Sequence, residues 1–101
     1  MPIIRYTTPT IKFTFSDISV NNITTAYLIV KQNGRTVIER DLSSASVEEG
    51  VISWSLAQVE TGKLSKTNAT IYCDWKLRDG TRGRSNVATE AIEESGKSEV
   101  I

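Results

Sequence analysis

The sequence predicts an all-β fold, a two-sheet antiparallel sandwich of about seven short strands. Three observations carry that reading. Runs rich in β-branched and aromatic residues alternate apolar with polar side chains. Turn-forming residues interrupt them roughly every 8–12 positions. Only one stretch, near 57–64, suits even a single turn of helix. A small barrel is the alternative closure. A chain of 101 residues can bury one core without a disulfide or a metal. The expected organisation is one domain over 1–92 and a C-terminal tail over 93–101.

The organising stretch is Thr24 to Leu42, where two strand-like runs flank Asn33-Gly34. Both residues accept positive φ cheaply, which makes this the strongest short-range signal for a hairpin. Apolar residues fall on both parities of the first run: Ala26, Leu28 and Val30 on one face, Tyr27 and Ile29 on the other. A strand with one wet face alternates more cleanly, so the hairpin is expected in the body of the sheet system rather than at a rim.

The other elements follow in chain order. Pro9 opens Thr10 to Phe15, where Ile11, Phe13 and Phe15 face inward. Ser16 to Asn22 is turn-like, with Asp17, Asn21 and Asn22 as local backbone acceptors. Leu42 to Gly50 is a polar connection. Val51 to Leu56 alternates again, with Ile52, Trp54 and Leu56 inward. Ala57 to Lys66 is the helical turn, limited by Gly62 and expected to be pinned by Val59 and Leu64.

Ala69 to Leu77 is the second long strand, with Ile71, Cys73, Trp75 and Leu77 on its core face. A two-residue turn at Asp79-Gly80 would place Arg82 and Arg84 on that face as well. A three-residue loop, 78–80, with Gly80 left-handed, instead pairs Trp75 with Gly83, Asp74 with Arg84 and Ile71 with Val87. Burying unpaired charge is expensive, so the second register is expected, with a last strand over 82–92.

Composition narrows function. Twelve Lys plus Arg balance twelve Asp plus Glu. That balance argues against nucleic acid and anionic membranes as partners, and permits self-association. There is no histidine and a single cysteine, Cys73, which removes the commonest general base and the commonest metal ligand. No calcium-loop spacing and no phosphate-binding glycine loop is present. The reading is therefore no enzyme, no metal and no cofactor. The opening residues hold no signal-peptide-like apolar run, so synthesis in the cytoplasm is expected.

Two residue groups are candidates for contact. Tyr27, Ile29 and Tyr72 would lie on strand faces that no helix covers, leaving either the other sheet or another protein chain to shield them. Lys76, Arg78, Arg82 and Arg84 gather on one hairpin. They form either a patch for an anionic partner, with Tyr72 as a stacking platform, or a solvated arm paired with Asp74 and Asp79. Trp54 and Trp75 have the parity of core plugs, and Cys73 that of a small buried filler.

The Tyr72-Cys73 pair with two tryptophans is similar in part to immunoglobulin domains, but the immunoglobulin-like sandwich is expected on strand count rather than on this likeness. In that family the tyrosine stands two residues before the cysteine, and a disulfide partner exists; both features are missing here. A second likeness spans most of the chain. Thr8 to Phe15, the Ser53-Trp54-Ser55-Leu56-Ala57-Gln58-Val59-Glu60-Thr61 run, where Val59 stands at a usually acidic position, Asp79 to Asn86, and the closing Glu99-Val100-Ile101 resemble small proteins encoded among the structural genes of bacterial prophages. The likeness implies a virion-associated structural or assembly role. Missing catalytic residue types, neutral charge and the doubly apolar central hairpin add the expectation of a non-enzymatic structural or protein-interaction module, a phage head, tail or baseplate component. The rival reading is a domain that binds carbohydrate or another cell-surface polymer.

Overall fold

The computed structural model describes residues 2–16, 18–97 and 99–101, so the expected role of Asp17 lies outside the described residues. Ten strands form among them: β1 Ile3–Ile4, β2 Thr10–Thr14, β3 Ile23–Gln32, β4 Arg35–Asp41, β5 Ser46–Glu48, β6 Val51–Ser55, β7 Ala69–Leu77, β8 Arg82–Arg84, β9 Ala88–Glu90 and β10 Ile92–Glu93. One helical turn, α1 Gln58–Thr61, joins the two sheets. The fold is all-β and sandwich-like. A small sheet runs β2-β6-β5 and a large one β4-β3-β7-β8, with β9 following β8 along the free edge of β7. Between them lie Ala26, Leu28, Val30, Ile71 and Cys73 from the large sheet and Ile52, Trp54 and Leu56 from the small one.

Alternation builds this core as expected. Ile52 and Trp54 are fully shielded and Leu56 nearly so. Trp54 also satisfies its one donor, giving Nε1–H to the carbonyl of Asp41 at 2.8 Å, while Phe13 meets its ring edge-on at 5.9 Å. A buried indole needs such a partner.

The Asn33-Gly34 turn has φ of 53° and 77° at its two central residues, the doubly left-handed geometry the pair favours. The strands it joins differ in position. β3 lies between β4 and β7, in the body of the sheet, but β4 is an edge strand, so only half of the hairpin is interior. The β3–β4 register also shifts by one residue between Val30 and Lys31. Val37 is the extra residue of a β-bulge, and Ile38 turns inward opposite Val30.

The three-residue loop at 78–80 is present. Gly80 has φ of +93°, Trp75 pairs with Gly83, and Asp74 pairs with Arg84. Farther along the register slips, and Ile71 pairs with Ala88 rather than Val87. The cause is local. Ser85 takes the amide of Cys73 on its side-chain Oγ at 2.8 Å, and gives its own amide to the carbonyl of Cys73 at 2.9 Å. The ladder is interrupted there, and the single strand expected over 82–92 becomes β8, β9 and β10.

Three further placements differ from the sequence reading. Val59 is 57% exposed, and the inward residue of α1 is Thr61, fully buried. Its hydroxyl donates to the carbonyl of Thr7 and accepts from the amide of Thr7, which fixes which side of the turn faces in. In the turn before β3 it is Ser19, not an asparagine, that accepts from the amide of Asn21. The stretch from Glu93 onward begins in β10, which pairs in parallel with β1. At its end Ile101 exchanges two hydrogen bonds with the Gln58 side-chain amide.

Candidate functional site

The outer face of the large sheet is the surface that brings the candidate residues together. Its inner face is committed to the core, and strand parity sends Tyr27, Ile29 and Lys31 of β3, and Tyr72, Asp74 and Lys76 of β7, to the other side. The register lays them out in rows. Asp41, Tyr27, Asp74 and Arg84 lie across four neighbouring strands in one row. Glu39, Ile29 and Tyr72 form the next. On the far side Thr25, Lys76 and Arg82 form a third.

Of the aromatic and apolar candidates, Tyr27 is 40% exposed and Tyr72 partly so, whereas Ile29 is 7% exposed. Neither the other sheet nor a second chain is needed to shield Ile29. It sits directly between Glu39 and Tyr72 across the two ladders, close enough for their side chains to cover it. Tyr72 itself lies under two cations, the Arg84 guanidinium 5.2 Å from its ring centre and the Lys31 ammonium 5.9 Å away. Each contact fixes a charged tip against an aromatic face.

Of the basic candidates, Lys76, Arg82 and Arg84 share this face, and Arg78 does not. The Arg78 guanidinium donates to the carbonyl of Asn21, and its amide to the carbonyl of Asn22, tying the loop to the segment before β3. A shallow groove of about 280 Å³ beside Tyr27 is lined by Thr25, Asp74, Trp75, Lys76 and Arg82.

Two acidic residues of this face, Glu39 and Asp41, were not foreseen. An unbroken register from the Asn33-Gly34 turn would point them into the core; the Val37 bulge turns them out. The signal was available, because burying two carboxylates is as costly as burying two arginines. The face is thus electrically graded. Glu39 and Asp41 occupy the β4 edge, the tyrosines with Lys31 and Asp74 the middle, and Lys76, Arg82 and Arg84 the β7–β8 side.

The remaining candidates resolve differently. Trp54 is a core plug, but Trp75 is only partly buried; its ring covers Gly83 and borders an outward cleft of about 420 Å³ with Phe13 and Phe15. Cys73 is fully shielded, and burial, with the Asp74 charge adding to it, pushes its thiol up to about 12. That keeps it protonated and a poor nucleophile at neutral pH. Asp79 accepts from the amide of Thr81 at 2.8 Å. That bond holds its carboxyl below the usual carboxylate range, so it serves the turn. Among the described residues no group of three or more Cys, Asp or Glu side chains converges to hold a metal ion. No helix among the described residues is long and apolar enough to cross a membrane. Comparison with protein-family models and with curated proteins found no match.

Proposed function

We propose that this chain is a non-enzymatic structural or protein-interaction module whose contact surface is the outer face of β3, β7 and β8. The observation that carries the reading is the placement of exposed Tyr27 beside cation-flanked Tyr72 on a sheet face that no other element among the described residues covers. Tyrosine and arginine are the residues that most often anchor protein contacts, because they bring large area at low conformational cost. The prophage-like motifs of the sequence suggest the setting: a component of a phage head, tail or baseplate.

The test is light scattering at micromolar concentration together with affinity capture, run on the wild type and on Tyr27→Glu. Self-association or a captured partner that the variant loses supports the reading. A strict monomer that captures nothing, or binding indifferent to the variant, overturns it. A carbohydrate-binding role is favoured by one feature, the groove beside Tyr27 with hydrogen-bonding side chains at its rim. Titration with a glycan panel, followed by quenching of the partly exposed Trp75, separates it from the first reading.

A further inference from the structure

Resting on that reading, we infer that the partner of the outer face is a second copy of this chain, packed face to face about a two-fold axis parallel to the strands. The argument is charge complementarity. Across the sheet the face runs from acidic (Glu39 and Asp41 on β4) through a middle of two tyrosines and one charge of each sign (Tyr27, Lys31, Tyr72 and Asp74) to basic (Arg82 and Arg84 on β8). Only two in-plane axes, along the strands or across them, bring two such sheets together with their strands aligned, the usual arrangement of packed sheets. An axis across the strands would lay acidic β4 over its own copy, and basic β8 over its own copy. An axis along them lays β4 of each copy over β8 of the other, so that Asp41 faces Arg84 twice with Glu39 one row along. β3 then faces β7 at the centre, bringing Tyr27 and Tyr72 of the two copies into neighbouring rows. Like charges facing one another are strongly disfavoured in a contact, so the gradient selects the second arrangement.

Zero net charge removes long-range repulsion between copies. Isolated edge pairing through β4 is the weaker route to association. The Val37 bulge breaks that edge, and the alternation of Arg35, Glu39, Arg40 and Asp41 sets like charges opposite one another in the registers that keep the faces matched.

The experiment is a charge swap read by sedimentation velocity across about 1–100 μM. One variant, T36K/E39K, makes the β4 edge basic without touching Asp41, whose carboxylate caps the following turn. The other, R82E/R84E, makes the β8 edge acidic. Wild type is expected to dimerise, more weakly as salt rises, and each variant alone to lose affinity by about tenfold or more. Mixing the two variants is expected to restore dimers, because each β4 edge again faces a β8 edge of opposite net charge, the retained Asp41 opposite R84E being the one like pair; that recovery also shows both variants folded. A wild type that stays monomeric at the top concentration overturns the inference. So does a dimer untouched by either variant, or a loss that mixing does not restore. A monomer that still captures another protein through Tyr27 would leave the broader reading standing while this inference falls.

Discussion

Trp75 lies across the sheet from Gly83 and lays its ring over it, so closely that a Cβ on Gly83 would stand 2.1 Å from the ring carbon Cζ2. The glycine is there for space rather than for backbone freedom. An aromatic covering a strand glycine protects its exposed backbone. Gly83→Ala is therefore expected to lower stability by about 1–3 kcal/mol, the usual cost of overpacking, and to shift Trp75 emission towards the red. Urea denaturation followed by tryptophan fluorescence checks both. An alanine variant with an unchanged midpoint would mean the ring moves aside freely.

A second relationship holds the chain between α1 and β7. The Gln32 side chain is buried at 5% exposure. Its amide donates to the carbonyls of Ser65 and Thr67, and its oxygen accepts from the amide of Ser65 at 2.8 Å. Gln32→Leu keeps the volume and takes the partner from those backbone groups; a group left unpaired and buried costs about 1–3 kcal/mol, and the exposure of Ser65 and Thr67 lets water offset part of the sum. The expected loss is about 2–3 kcal/mol in thermal or urea unfolding. Hydrogen exchange at the Ser65 amide is expected to accelerate before the strands open.

These two relationships mark what the sequence could and could not disclose. The positions of β2, β6 and β7, the Asn33-Gly34 turn and the loop at 78–80 were legible, because local propensity and alternation decide them. Alternation did not disclose the Val37 bulge or the Ser85 interruption, because a single residue added to a ladder leaves the pattern on either side looking intact; only the charge of Glu39 and Asp41 pointed to the bulge. Both events then control the site. The bulge brings Glu39 and Asp41 to the outer face, and the interruption separates β8 from β9. Gln32 was hidden for another reason: a polar residue at the end of a strand reads as solvated until the loop that satisfies it is in place.

Glu60 sits at the meeting of two demands. One of its oxygens accepts from the Arg40 guanidinium at 2.7 Å and from the amide of Ala57 at 2.9 Å, capping the first turn of α1. Both side chains are less than a third exposed. Glu60→Ala removes cap and ion pair together, for an expected loss of about 1–2 kcal/mol. Glu60→Gln keeps an acceptor for Ala57 and loses only the charge, so it is expected to recover about half of that. At about 4–8 °C per kcal/mol for a chain of this size, calorimetry resolves the difference. Equal losses in the two variants would assign the whole effect to the ion pair.

Cys73 supplies a pH dependence with a definite sign. Burial first, and the neighbouring Asp74 charge second, raise the thiol from its ordinary 9.0 to about 12 in the folded chain. The unfolded chain therefore loses this proton at lower pH than the native one. The contribution to stability is whole below pH 9 and is lost as the pH climbs towards 12. Wild type is expected to lose stability over that interval more steeply than Cys73→Ala, which carries every other titrating group but not this one. A thiol-reactive disulfide reagent offers the second readout: at pH 8 the native thiol is expected to react only as fast as the sheet opens, and to react at once in denaturant. Parallel stability curves for the two proteins, joined with prompt labelling of the native thiol, would place Cys73 in contact with water.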